Sequence, residues 1–387
     1  MKYLLIDGNN LAVRNAFANA ELKNQNGIPT GVHYGVFQSL ILLKKEFPQH
    51  QFLVVWDGKS IRRVAEAKVG VEKGIVPSGY KENRAKGDDL PQELKDFYSQ
   101  ADFLQRGIGQ AGIPQIRLND FEADDVIASY AKLLKANNEV TVVTSDKDYW
   151  QILDDNVVLW DGMKQIKTTK SSWEKEYGLK TVKAIDIGAL TGDSGDNIFG
   201  IPGWGDKTAI KELQKHGSWE GVLKAYHDKY DKLRDQYPDI KDWQDSEDSG
   251  IDFEKVKQEE FYQLRTAKCD PNKPTSRLKF PEISFDMPFT GVCYAFHKGE
   301  VKISKAELMA LMFEERVKLA YSLKKMDDEI PDLPMIEPEP CDPYKLREYF
   351  EYYDIYTLQD DMGVFGKVEK KELIEVEDEE LEDFLVS

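Results

Sequence analysis

The chain has 387 residues and a mass of 44.4 kDa, with 52 basic and 70 acidic side chains and a formal charge of −18. A hydrophobic content of 41% supplies a core and excludes a wholly disordered chain, and the length predicts a main domain plus a sizeable second one. The opening MKYLLIDGNN breaks its apolar run with Asp7 and does not read as a signal peptide, no stretch reads as a membrane span, and Cys269, Cys293 and Cys341 are too dispersed for a disulfide framework or a CxxC zinc site. A cytoplasmic location is expected, in a reducing compartment.

The acidic balance does not exclude a nucleic-acid partner, because where the charge lies matters more than its sum. Residues 367–387 carry nine acids against three lysines, and nine further acids fall in the cluster described below. The rest of the chain is nearly balanced, which leaves room for a basic surface.

Residues 3–6 (YLLI) predict a short buried strand ending at Asp7-Gly8. Residues 52–56 (FLVVW) predict a second, ending at Asp57-Gly58, and residues 139–144 (EVTVVT) a third, ending at Ser145-Asp146. Apolar, β-branched runs closed by turn residues, with helical patterns between them, predict a mostly parallel α/β sheet. Ligands of such sheets bind beyond the carboxyl ends of the strands, and here all three ends carry an aspartate.

Residues 60–115 are basic and Gly-punctuated, without a strong apolar period, and predict a mobile excursion. Phe121 to Lys135 predicts a helix with an acidic first turn. Ser171 and Glu174 have capping-box spacing. Residues 190–216 combine the turn cluster TGDSGDN with the Gly/Pro segment GIPGWG and a helix opened by Asp206. Residues 219–310 are charged and mixed, with a strand pair predicted around 284–303. Five prolines from Pro331 to Pro343 predict an extended linker, residues 344–359 a helix, and the end of the chain an acidic tail.

The candidate metal ligands are Asp7, Asp57, Glu122, Asp124, Asp125, Asp146, Asp148, Asp193 and Asp196. Glu122 and Asp125 share a face of a helix start. Asp146 and Asp148 share one side of an extended segment. Six or more carboxylates in one cleft repel one another unless cations sit among them. All-oxygen donors suit Mg²⁺ or Mn²⁺ rather than zinc. Two such ions suit phosphodiester hydrolysis, in which one activates water and both stabilise the in-line transition state. Singly, each acid has an ordinary alternative as a turn or capping residue; the joint pattern favours a metal site. His33, His50, His216, His227 and His297 show no ligand spacing and are expected at the surface or in packing.

Residues Gly200 to Thr208 (GIPGWGDKT) resemble a phosphate loop, but Asp206 separates Gly205 from Lys207, whereas the P-loop needs Gly-Lys adjacent. A hairpin presenting backbone N–H groups to a nucleic-acid backbone fits better, with a plain interhelical turn as the alternative. In the basic excursion, Arg62, Arg63, Lys73, Lys81, Arg84 and Lys86 lie near the expected acidic cleft, and Tyr80 is placed to stack on a base.

The segments LLIDGNNLAVRNAF, VVWDGKS, GYKENRAK, FEADDVIASYA, VTSDKDYWQIL and ALTGDSGDNIFGIPGWGDKTA resemble, in order, the 5′-nuclease (flap endonuclease) superfamily. The likeness is greatest to phage 5′→3′ exonucleases and to the N-terminal domain of bacterial DNA polymerase I. It covers residues 1–216 and resumes near 313–358. The resemblance implies a PIN-like central, mostly parallel sheet flanked by helices, a helical arch over the active site, and a helix–three-turn–helix for DNA. The expected divisions are a nuclease core at 1–199 with its arch at about 60–115, a C-terminal helical region at 200–365 with an insertion at about 219–310, and a tail at 366–387.

The resemblance further implies a Mg²⁺-dependent, structure-selective 5′-nuclease that clears flaps and RNA primers (RNase H-type removal) in replication, in phage style. Mn²⁺ would substitute. Asp7, Asp57, Glu122, Asp124 and Asp125 would serve a first metal site, and Asp146, Asp148, Asp193 and Asp196 a second. Lys81 and Arg84 would contact the scissile phosphate with Tyr80 beside them, and Arg62 or Arg63 would take the family's arginine position. Gly200, Gly203 and Gly205, with Lys207 and Thr208, would grip the uncleaved duplex strand at a site that also holds K⁺ in the family. The expected partners are branched or nicked duplex DNA and RNA–DNA junctions, and, through the insertion or tail, a single-stranded-DNA-binding protein or another replication partner; a monomer is expected. Residues 64–79 are longer and more Gly-rich than in close relatives. Gln359, Met362 and Phe365 partly match a sliding-clamp motif. The alternatives are a PIN-type ribonuclease on single-stranded RNA and an inactive junction-binding protein that recruits partners.

Overall fold

The computed structural model describes residues 1–236 and 305–366. The strand pair expected around 284–303, most of the insertion and the acidic tail lie outside them.

Six strands form one sheet in the order β3-β2-β1-β4-β5-β6. They are β1 (Lys2–Asp7), β2 (Gln51–Trp56), β3 (Gln115–Arg117), β4 (Glu139–Val143), β5 (Val157–Asp161) and β6 (Ile166–Thr168). All pairings are parallel except β5 with β6. Period-2 alternation divides the core cleanly. Leu5, Leu53, Val55, Val140 and Val142 face one layer, and Leu4, Ile6, Phe52, Val54 and Val143 face the other. The sheet winds outward in both directions from the β1/β4 pair, so the crevice expected to bind a ligand lies at the carboxyl ends of those two strands.

Helices cover both faces: α1 (Gly8–Ala18), α2 (Gly31–Glu46), α3 (Ile61–Glu72), α4 (Gln92–Gln110), α5 (Ala123–Leu134), α6 (Lys170–Tyr177), α7 (Ala184–Thr191), α8 (Asp206–His216) and α9 (Trp219–Gln236). After the undescribed stretch come α10 (Lys305–Met312), α11 (Glu314–Lys324) and α12 (Pro343–Tyr352). Residues 331–342 are extended between the last two, as their prolines predict, and Asp342 caps α12 by accepting from the amides of Tyr344 and Lys345.

Three expectations need correction. Residues 60–115 are not one excursion. Ser60 caps α3, and α4 buries Phe97, Leu104, Gly107 and Ile108 against α1, α2 and α12. Only residues 73–91 project, and they are braced from below: Gly70 meets Leu319 of α11, and Arg316 Nε donates to the Ile75 carbonyl at 2.9 Å. A helix with only four buried positions in nineteen shows little apolar content, which hid its period from the sequence. The capping box on α6 is Thr169 with Ser172, two residues before the expected Ser171 start. Met362, which with Gln359 and Phe365 only partly matches a sliding-clamp motif and reads better as part of a solvated tail, is instead buried in the core.

Candidate active site at the carboxyl ends of the strands

Each acid is brought to the cleft by a strand end or a helix start. Asp7 closes β1 and caps α1, accepting from the Asn10 amide at 2.8 Å. Asp57 follows β2 and accepts from the Ala123 amide at 2.9 Å, so it caps α5 from another segment. Its loop seats because Gly58 has no side chain: a Cβ there would lie 2.0 Å from the Leu118 carbonyl oxygen. Glu122, Asp124 and Asp125 lie at the start of α5. Asp146 follows β4 and accepts from the Asp148 amide at 2.9 Å. Asp193 and Asp196 sit in the turn joining β7 (Gly192–Asp193) to β8 (Ile198–Phe199).

Eight of the nine acids fall into three sets by what neutralises them; the ninth, Asp196, pairs with Lys81 and Arg84. The guanidinium of Arg63 takes the first. It donates to Glu122 at 3.0 Å, to Asp124 at 3.1 Å through both terminal nitrogens, and to Asp125 at 3.0 and 2.8 Å. Its Nε donates to the Leu323 carbonyl. Arg63 is only 1% exposed. Burial opposes its charge, but the surrounding acids hold its pKa well above the ordinary value. Burial and the neighbouring Asp124 push Asp125 up to about 7.

Lys324, the last residue of α11, takes the second set. Its ammonium lies 2.5 Å from both oxygens of Asp148 and 2.8 Å from Asp193. Burial pushes Asp148 up to about 7 against the pull of Lys324. Asp193 is held low by the same ammonium despite its burial.

Asp7, Asp57 and Asp146 form the third set. Among the described residues, no ion pair engages any of them. Burial pushes Asp7 up to about 8, and the charges of Asp57, Asp124 and Asp146 add to the effect. Burial also raises Asp57 and Asp146, opposed in part by Lys81 and Lys324 respectively. These acids crowd the sheet's switch point with no lysine or arginine of the described residues paired to them, and their hard oxygen donors fit a hard divalent ion. Among the described residues, no three acidic, His or Cys side chains are gathered tightly enough to form a finished coordination shell. The donor chemistry fits a metal; the shell would close only around an ion.

The basic segment is stitched to the Asp193–Asn197 turn. The Lys81 amide donates to the Asp196 carbonyl at 2.9 Å, and Asn83 donates to the Ser194 carbonyl. Asn197 Nδ2 donates to Ser78 and to Gly79. Lys81 has φ +53, a left-handed conformation that a lysine adopts only when its surroundings impose it. Its ammonium lies 2.8 Å from Glu122 and 3.8 Å from Asp196, and Arg84 reaches Asp196 at 2.6 Å. Lys81 and Arg84 therefore meet at the rim of the cleft, where Arg84 remains half exposed.

Other expected contacts are not available. Arg63 is buried beneath the acids and cannot reach DNA. Arg62, a third of it exposed, donates to the carbonyls of Ser322 and Lys325 and braces α11. The Tyr80 hydroxyl donates to Glu122 and Asp196, and its ring packs on the cluster of Ala67, Ile198 and Leu323, so it is not a free stacking platform. Asp125 is engaged by Arg63 beneath the cleft, and Glu122 is shared between Arg63 below and Lys81 at the rim. Gly200 is a packing residue: a Cβ would lie 2.3 Å from the Gly192 amide nitrogen. Gly203 and Gly205 are open, with nothing within 4 Å of an added Cβ. Gly205 leaves α8 without a side-chain cap, and Lys207 is exposed beside it. Asp206 is paired with Lys147 at 2.8 Å. Lys324 was not singled out in the sequence. Its one signal there is its spacing: it falls seven residues after Val317 and four after Ala320, on the buried face of α11.

Comparison with known proteins identifies the family. Residues 2–178 match the 5′-3′ exonuclease N-terminal resolvase-like domain, and residues 179–246 match the 5′-3′ exonuclease C-terminal SAM fold. The chain is 35% identical over 255 residues to a 5′-3′ exonuclease of Aquifex aeolicus, covering 65% of this chain and 80% of that one. The chain belongs to the 5′-3′ exonuclease family. This family member is also 36% identical over 225 residues to the thermostable DNA polymerase I of Thermus aquaticus, but it spans only 25% of that protein's length. The solved T5 5′-exonuclease with bound divalent metal ions (zinc) aligns at 20% identity and a TM-score of 0.47, over 58% of this chain and 79% of that one. The C-terminal match continues past residue 219, where the sequence had suggested that an insertion begins.

Proposed function

We propose that this chain is a divalent-metal-dependent, structure-selective 5′-nuclease on DNA, removing 5′ flaps and 5′-terminal nucleotides, RNA primers included. Family membership supports hydrolysis of nucleic acids. The observation that carries the finer reading is the crowding of Asp7, Asp57 and Asp146, with Asp124, at the switch point, where burial and then the neighbouring acids push Asp7 up to about 8.

In this reading Asp7, Asp57, Asp124 and Asp146 hold a first ion, and Asp148 and Asp193 a second, with Mg²⁺ the expected ion and Mn²⁺ able to replace it. Bound there, such ions would polarise the phosphate and its attacking water. The protein supplies the rest. Arg63 fixes the α5 acids in place. Lys81 and Arg84 offer preformed positive charge at the rim, where a phosphodiester oxyanion would gain most from it. The left-handed Lys81 and its tie to Asp196 hold that ammonium without reorganisation. Open backbone at Gly203 and Gly205, with Lys207 and Thr208 opening α8, would contact the uncleaved duplex strand without reading sequence. A K⁺ there belongs to the same proposal. We divide the chain into a catalytic core to about residue 199, helical DNA-binding elements to about 365, and the tail. Among the described residues, no helix is long and apolar enough to cross a membrane.

The test uses a 5′-labelled flap, a nicked duplex, an RNA-primed duplex and an unstructured RNA, in Mg²⁺ and then in EDTA. Mg²⁺-dependent release of short 5′ products from the branched substrates supports the reading. Cleavage confined to unstructured RNA would point to a ribonuclease, and tight binding without cleavage to a junction binder.

A further inference from the structure

Lys324 occupies the second carboxylate pair completely. Its ammonium lies at 2.5 Å from each oxygen of Asp148 and at 2.8 Å from Asp193 Oδ2. The remaining Asp193 oxygen accepts from the amides of Gly195 at 2.8 Å and Asp196 at 3.4 Å. All four oxygens of the pair are therefore engaged, three by one lysine. A divalent ion entering between these acids would need the same lone pairs.

The placement is built rather than incidental. The lysine is 6% exposed. Its stem runs past Gly188 in α7, where an added Cβ would lie 2.9 Å from Lys324 Cε. A mid-helix glycine costs helix stability, and here it opens the path that the lysine uses. The backbone after the lysine is anchored in the same cleft. Gln151 Nε2 donates to the Lys324 carbonyl, the Met326 amide donates to Gln151, and the Asp327 amide donates to Asp125 at 2.7 Å. On its other side, the end of α11 gives carbonyls to Arg62 and Arg63 of α3, and Ser322 donates to Glu66. The helix α3 leads directly into the basic segment that carries Lys81 and Arg84.

We propose that Lys324 is a resident cation which a divalent ion must displace to occupy the Asp148/Asp193 pair, so that loading this site shifts the end of α11 and, through Arg62 and Arg63, the helix beneath the basic segment. This rests on the two-ion reading above. Lys324 lends the pair positive charge until the ion arrives. It lowers the ion's affinity and makes its arrival a conformational signal to the rim.

The experiment is a Mn²⁺ titration without DNA, followed by calorimetry and by amide hydrogen exchange, on the native chain and on three variants, Asp193→Asn, Lys324→Met and Gly188→Ala. In the native chain, exchange at residues 324–328 should quicken as the ion lost in Asp193→Asn binds. Lys324→Met keeps the stem and removes the competing charge, so that ion should bind ~10-fold or more tightly, since an intact buried pair no longer has to be broken. Gly188→Ala crowds the stem without removing the ammonium and should also tighten the ion. A folded Lys324→Met with unchanged or weaker affinity would overturn the proposal and leave Lys324 as a structural brace. If Lys324→Met does not fold, unchanged exchange in the native chain together with unchanged affinity in Gly188→Ala overturns it equally. If the native chain binds no Mn²⁺ at all, the two-ion reading falls as well; if it binds two ions and none of these readouts moves, only the role of Lys324 falls.

Discussion

Arg63 holds three carboxylates with one guanidinium, and burial makes that arrangement sensitive to its removal. With Arg63→Met, buried Asp125 would lose the only cation paired to it among the described residues and keep just the Asp327 amide, while Glu122 would keep Lys81 and Tyr80, a loss of ~3–5 kcal/mol. Urea denaturation at pH 7 measures it, and a loss below ~1 kcal/mol would mean that the acids simply take up protons or water. Arg63→Lys should fall between the two, since one ammonium cannot reproduce the planar fork that meets three carboxylates. Lys81 and Arg84 belong to a different class, because they sit at the rim rather than beneath it. Lys81→Ala and Arg84→Ala should each lower the cleavage rate ~10²–10³-fold while leaving duplex affinity largely intact. Single-turnover cleavage beside a binding titration separates the two effects; equal losses in both would make these residues duplex anchors instead.

Glycines of the GIPGWG segment, alike in the sequence, do different work in the element they build. At Gly200 a Cβ would meet backbone atoms of Thr191 and Gly192 at 2.3 Å, and backbone cannot step aside. Gly200→Ala should cost roughly 1–3 kcal/mol by overpacking the β7–β8 turn. Gly205 has open space and an ordinary φ of −123° at the N-cap of α8. Gly205→Ser should keep or raise stability, by up to ~1 kcal/mol, because the hydroxyl can cap free amides. If those amides face a phosphate, the same change should weaken duplex binding; thermal melts with a flap-binding titration would show stability and affinity moving in opposite directions. The same contrast explains what could be read without coordinates. β1, β2 and β4 are contiguous apolar runs ending in aspartate, so both their burial and the position of their acids follow from local sequence. The strands β3 and β6 span three residues each, too few for a period, and were missed. Lys324 lies 176 residues from Asp148 and 131 from Asp193, and Arg63 is 59 to 62 residues from its acids. Local patterns cannot report such pairings, so the acids were legible as a set and the cations that divide them were not.

On one face of the sheet, His33 is fully buried where α2, α4 and α12 meet. Its Nδ1 faces the Tyr349 hydroxyl, its Nε2 lies 3.0 Å from the Gln100 side-chain oxygen Oε1, and its ring stacks on Tyr353 at 3.8 Å. Burial pushes its pKa down to about 4 from an ordinary 6.5. The unfolded chain therefore binds a proton more readily than the folded one between those values. The stabilisation is fully present above pH 6.5 and is lost as pH falls toward 4, at most ~3 kcal/mol for a shift of this size. Asp7 acts with the opposite sign: its folded pKa of about 8 lies above the ordinary 3.8, so acidification through that window favours the fold. The pH dependence of the native chain mixes both effects, and a single melt would not separate them. The difference between the native chain and His33→Gln does, because the glutamine takes no proton while the acids are common to both. His33→Gln should be the less stable protein at pH 7. The gap should narrow by ~2–3 kcal/mol by pH 4, as the native chain begins to carry the cost of an uncharged histidine. Urea denaturation at half-unit intervals across this range would follow it. A gap that stays constant would mean that His33 accepts a proton in place, with Tyr349 or Gln100 turning to receive it, and that the junction of α2, α4 and α12 is more adaptable than its packing shows.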